Sequence, residues 1–81
     1  MKKVYAIIFT YCHQGAQPTV LGVFTNYEEA LYAFNKECEW QVKEAHYTQI
    51  DWYKSGIYQY KRFEKRGNTV CLALTDTELY E

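Results

Sequence analysis

The chain has 81 residues, a net charge of −1, 48% hydrophobic content and 19% aromatics, nine of them tyrosines. That length leaves room for one domain and no second core, and a domain this small buries only about 60–65% of its unfolded surface. High apolar content with little net charge excludes intrinsic disorder, and the near-zero charge does not supply the broad basic field of a duplex-binding protein.

The opening "MKKVYAIIFTYC" places two lysines before an apolar run, but the run is shorter than a signal-peptide core and no small-residue cleavage site follows. It reads instead as a first strand, Val4 to Cys12, apolar on both alternating sets. Val4, Ala6 and Ile8 point one way, and Tyr5, Ile7, Phe9 and Tyr11 the other, the pattern of a strand central in its sheet. "HQGAQP" is a loop by its Gly and Pro. "TVLGVFT", Thr19–Thr25, is a second strand, expected to pair with the first as an antiparallel hairpin.

The segment "FTNYEEALYAF" opens a helix. Thr25 or Asn26 is the N-cap, each with a glutamate three residues on, and the acids favour the helix N-terminus. Tyr27, Ala30, Leu31, Phe34, Cys38, Val42 and Ala45 recur at helical spacing, and Glu39 with Lys43 is an i,i+4 pair. The helix is expected to end near residue 45. Residues 46–54 are ambiguous: Tyr47–Tyr53 alternates like a strand, yet Ile50 and Tyr53 also prolong the helical stripe. Irregular or strand structure is favoured, because a helix reaching Tyr53 would be about 40 Å long. "KSG" is a turn, "IYQYKRF" a strand, "EKRGN" a second hairpin turn, and "TVCLALT" a strand. The tail "DTELYE" is unassigned.

The expected fold is α+β: a two-layer sandwich of order β-β-α-β-β with a possible fifth strand, one amphipathic helix on a mostly antiparallel sheet, residues 1–81 forming a single domain. If Val4, Ala6 and Ile8 lie under the helix beside Val70, Leu72 and Leu74, the other face is bare. Tyr5, Ile7, Phe9 and Tyr11, with the off-stripe Tyr32 and Trp40, then form a candidate interface for a protein partner or a second copy of the chain.

Chemistry is thinly represented. Three cysteines, at 12, 38 and 71, form no CxxC motif, so neither a disulfide scaffold nor a zinc ribbon is indicated and reduced thiols are expected. Adjacent Cys12 and His13 point to opposite faces of a strand, which disfavours a shared metal. No catalytic set, phosphate loop or cofactor motif stands out; the expectation is a protein without metal, cofactor or enzymatic activity. No segment approaches the ~18 apolar residues of a membrane span, and a cytoplasmic location is expected.

Charge is segmental: residues 26–53 carry a net −4 and residues 54–66 a net +4. In the basic segment Tyr58 and Tyr60 alternate with Lys61, Arg62, Lys65 and Arg66. Rings beside cations suit a nucleotide or single-stranded nucleic acid, an alternative to the protein interface.

The run "LGVFTNYEEALYAF", residues 21–34, resembles a pattern in small uncharacterised proteins of bacteria and their phages: a strand ending in Gly-Val-Phe-Thr, then a Glu-Glu-Ala helix. The resemblance implies an intracellular accessory protein working by stoichiometric binding, and it assigns no functional residues.

Overall fold

A computed structural model of the chain describes residues 2–13 and 15–79. Its elements are β1 (Lys2–Tyr11), β2 (Thr19–Phe24), α1 (Tyr27–Lys43), β3 (Thr48–Ser55), β4 (Tyr58–Lys65) and β5 (Asn68–Leu79). The expected α+β class is observed, as one open sheet of five antiparallel strands in the order β2-β1-β5-β4-β3 with a single helix. Residues 46–54, ambiguous in sequence, form most of β3. The tail joins β5 as far as Leu79; its last two residues lie outside the described set.

Two turn chemistries set the β3–β4–β5 register. Arg66 and Gly67, at φ 50° and 84°, bridge Lys65 and Asn68, the two positive φ values of a type I′ turn. Gly56, at φ 59°, opens the two-residue loop between Ser55 and Tyr58, which needs a left-handed first residue. The first hairpin has a longer loop, and the two hairpins meet along β1 and β5, paired from Lys2↔Leu79 to Tyr11↔Val70. β1 is therefore central, as its two-sided apolar pattern requires.

The helix starts at Asn26, whose side-chain oxygen accepts the Glu29 amide at 3.1 Å, deciding between the two candidate caps. Its buried stripe is Ala30, Phe34, Cys38 and Gln41. Gln41 takes the last place expected of Val42, which is 46% exposed. The reason is local: the chain reverses at His46 (φ 62°), and the Tyr47 amide bonds back to the Gln41 carbonyl at 2.7 Å, folding Tyr47 over that side of the helix.

The helix covers the face opposite to the one expected. Ile7, Phe63, Val70, Leu72 and Leu74 share one buried cluster with Ala30, Phe34 and Cys38, and Tyr5, Phe9, Phe24 and Tyr47 pack around it. Val70, Leu72 and Leu74 lie under the helix as expected. Their partners across β1, however, are the odd-numbered residues Phe9 and Ile7, not Val4, Ala6 and Ile8. Antiparallel partners share a face, so register decides what alternation within one strand cannot.

Candidate functional site

The register sorts every proposed site residue onto a face. Ile7 is 2% exposed in the core, so it can touch no partner; Tyr5 and Phe9 are half-buried at its margin. The Tyr5 ring sits 5.5 Å from that of Tyr27 on the helix. Tyr11 remains 51% exposed at the end of the helix-covered face, its ring 5.0 Å from Phe9 and 5.9 Å from His13. Tyr32 and Trp40 are exposed on the outer side of the helix, with the Lys36 ammonium 5.4 Å from the Tyr32 ring between them. The interface residues placed on β1 are thus a core edge, and those on the helix are a surface.

The bare face is the other one. It carries Val4, Ala6, Ile8 and Thr10 on β1, paired with Thr77, Thr75, Ala73 and Cys71 on β5. Val4 is 4% and Cys71 8% exposed, and Ala6, Ile8, Thr10, Ala73 and Thr75 are half-buried although the helix lies on the other side. Tyr60 and Arg62 follow on β4, facing Ala73 and Cys71, then Tyr53 and Asp51 on β3. Val23 extends it on β2 beside Ala6. From Val4 to Thr10 on β1, and on β2 and β5, the face is uncharged. On β4 and β3 it carries Arg62, 3.5 Å from Asp51, and Glu64, which stands opposite Thr69 and Thr48.

The same alternation splits the basic hairpin. Tyr58, Tyr60 and Arg62 lie on the bare face, with the Tyr53 ring 6.1 Å from that of Tyr58. Lys61 lies on the helix side, opposite Leu72. Lys65 reaches the helix end, donating to the Ala45 carbonyl at 2.8 Å with the Tyr47 ring 5.8 Å away. There a cation meets the negative end of the helix dipole. Arg66 is in the turn. Arg62 alone of the four cations shares the face of Tyr58 and Tyr60, so the six residues form no single stacking groove.

The cysteines also depart from expectation. Cys12 and Cys71 are joined as a disulfide across 59 residues of sequence, their Cα atoms 6.8 Å apart. The pairing follows from the sheet: Thr10 faces Cys71, and Cys12, one step further along the same face, donates its amide to the Thr69 carbonyl at 2.9 Å. No spacing motif could have signalled a diagonal contact between strands at opposite ends of the chain. Cys38 is free and buried, and burial pushes its thiol up to about 11. Among the described residues no group of three or more His, Cys, Asp or Glu side chains could hold a metal. None of their helices is long and apolar enough to cross a membrane.

Two open grooves, of about 540 and 550 Å³, lie at the two ends of the helix. The first runs from His46 to Arg66 beside Thr48 and Ile50; the second is formed by Phe24, Tyr32, Glu28 and Glu29. No family model, no curated protein and no solved structure matches the chain.

Proposed function

We propose that the chain is a non-enzymatic binding module of the bacterial or phage accessory type, self-associating through the helix-free face of its sheet and acting stoichiometrically on a protein partner. The observation that carries the reading is a five-stranded sheet with the only helix of the described residues on one side. Five strands about 4.8 Å apart and some nine residues long give a face of roughly 700 Å², close to the ~800 Å² per partner of a stable interface. The accessible surface, 5684 Å², exceeds the roughly 5,100 Å² of a compact 9.7 kDa monomer. The radius of gyration, 13.1 Å, likewise exceeds the about 11.7 Å of a compact chain this long. Both excesses fit a missing layer.

A second copy suits this face because its centre, Val4 to Thr10 on β1 with Cys71 to Thr77 on β5, brings no charge to repel its own image across a two-fold axis. Edge-to-edge pairing is disfavoured. The β3 edge carries a register shift at Gln49/Asp51, and the Asp51 carboxylate takes the Trp52 amide at 2.8 Å. The β2 edge has its own irregularity, its pairing with β1 passing from Ile7↔Gly22 to Ile8↔Val20 and skipping Leu21. Association through the sheet leaves the outer stripe Tyr32, Lys36, Trp40 facing outward for the partner.

Sedimentation tests this reading. The wild type is expected to dimerise at micromolar concentration. Val23→Lys with Tyr53→Lys, both at exposed positions, should weaken the dimer at least about tenfold, or 1.4 kcal/mol. Tyr32→Lys should leave it intact. A wild type that stays monomeric at high micromolar concentration would sink the proposal.

A second reading rests on Tyr53, Tyr58, Tyr60 and Arg62 sharing one face: stacking of a nucleotide or a single strand. Arg62 is already paired with Asp51 and the remaining cations point elsewhere, which favours the protein interface. Titration of a labelled oligonucleotide at low salt, with and without Tyr58→Ala, separates the two.

A further inference from the structure

We infer that Cys12 and Cys71 are a reversible dithiol–disulfide couple, a redox site whose substrates are small-molecule disulfides and thiols. The inference does not require the docking reading, although Cys71 and Cys12 lie at one end of the same face, and it rests on placement. The fold brings together two sulfurs from opposite ends of the chain, with unequal surroundings. Cys12 is exposed just past the end of β1, where an incoming reagent can reach it. Cys71 is only 8% exposed, in the middle of the sheet. The Tyr60 hydroxyl lies 3.0 Å from its sulfur. When the bond is broken, that hydroxyl can donate to the Cys71 thiolate, stabilising the group that leaves on reduction and attacks on oxidation.

The two sulfurs thus divide the work in the ordinary order of thiol exchange. In oxidation, the Cys12 thiolate attacks one sulfur of a disulfide RSSR, forming a mixed disulfide and releasing RS⁻, which takes a proton. The Cys71 thiolate then attacks the Cys12 sulfur, closing the internal bond and releasing the second RS⁻. Two protein thiols are oxidised by two electrons and one RSSR is reduced to two RSH. Excess thiol runs the steps backwards, entering at the exposed Cys12 sulfur. Bonding is not required to align the strands, because β1 and β5 are already paired along ten residues. Cys38 takes no part: it is 6% exposed and its thiol is held protonated by burial.

The test is equilibration of the whole protein in mixtures of reduced and oxidised glutathione, followed by acid quench, denaturation, alkylation and mass measurement. As the oxidised fraction rises, alkylatable thiols should fall from three to one, the survivor being Cys38. Excess reduced glutathione should restore all three without denaturant. Cys71→Ser should accumulate a glutathione adduct at Cys12, and Cys12→Ser should accumulate almost none. Circular dichroism of both variants confirms that they are folded. Three outcomes overturn the inference: a wild type that stops at the mixed disulfide, a bond that resists reduction in the folded protein, or an adduct on Cys71 as readily as on Cys12.

Discussion

Single side chains in this sheet do work that their neighbours in sequence do not predict. Lys65 belongs to a run of cations, yet it alone closes the helix, binding the Ala45 carbonyl at a point where His46 rather than a glycine reverses the chain. A charged donor to a part-buried carbonyl contributes about 1–2 kcal/mol, and part of the Lys65 stem is also buried. Lys65→Met should therefore lower stability by about 1 kcal/mol in chemical denaturation, whereas Lys54→Met, fully on the surface, should change it by less than about 0.5 kcal/mol. Equal effects would show that Lys65 is only a surface charge. That role was not legible in the sequence, since the contact spans twenty residues and depends on where the helix happens to stop.

At the scale of elements, α1 was the most legible feature, because its cap, first-turn acids and apolar stripe all act within a few residues. Asn26→Ala removes the acceptor for the Glu29 amide and should cost about 1 kcal/mol, while Asn26→Asp should cost little, an acceptor and a favourable charge being kept. A thermal melt of the three proteins checks this. Near the other end, the hydrogen bond and charge of Lys43 hold the Glu39 carboxyl below its ordinary range. A carboxyl depressed in the folded state stabilises above its unfolded pKa and loses that contribution as pH falls through the folded value. The helix should therefore weaken slightly on acidification below the ordinary carboxylate range, an effect removed by Glu39→Gln and blunted by salt, since the pair is fully solvated. Four strands were legible in place; β3 needed β4 beside it to settle the choice between strand and helix, and pairing with β1 carries β5 on through the unassigned tail to Leu79.

For the whole molecule, the consequence of one helix on a five-stranded sheet is a face without a layer. Its centre is uncharged and Arg62 is paired with Asp51, so association through it should be nearly insensitive to sodium chloride between 0.05 and 1 M (roughly 14 to 3 Å of screening length). Nucleic-acid binding through Arg62 and its neighbours would weaken steeply over the same range. Sedimentation across that salt series distinguishes a neutral docking face from an electrostatic one, and a dimer that dissociates with salt would contradict the face assignment.

What the sequence determined by itself were properties carried by neighbouring residues: the α+β class, the helix with its first-turn acids and most of its core stripe, the tight turns at Gly56 and Gly67, and the interior place of β1. What only the tertiary structure decided were properties of strands far apart in the chain. β1 is apolar on both sides, so its alternation is the same whichever side the helix takes. The pairing of Ile7 with Leu74 breaks that symmetry and sends Ile7 under the helix and Val4, 4% exposed, to the opposite face. The same register scatters the basic hairpin over two faces and sets Cys12 beside Cys71. A period of two states which residues go together, and only the partner strand states which way they face.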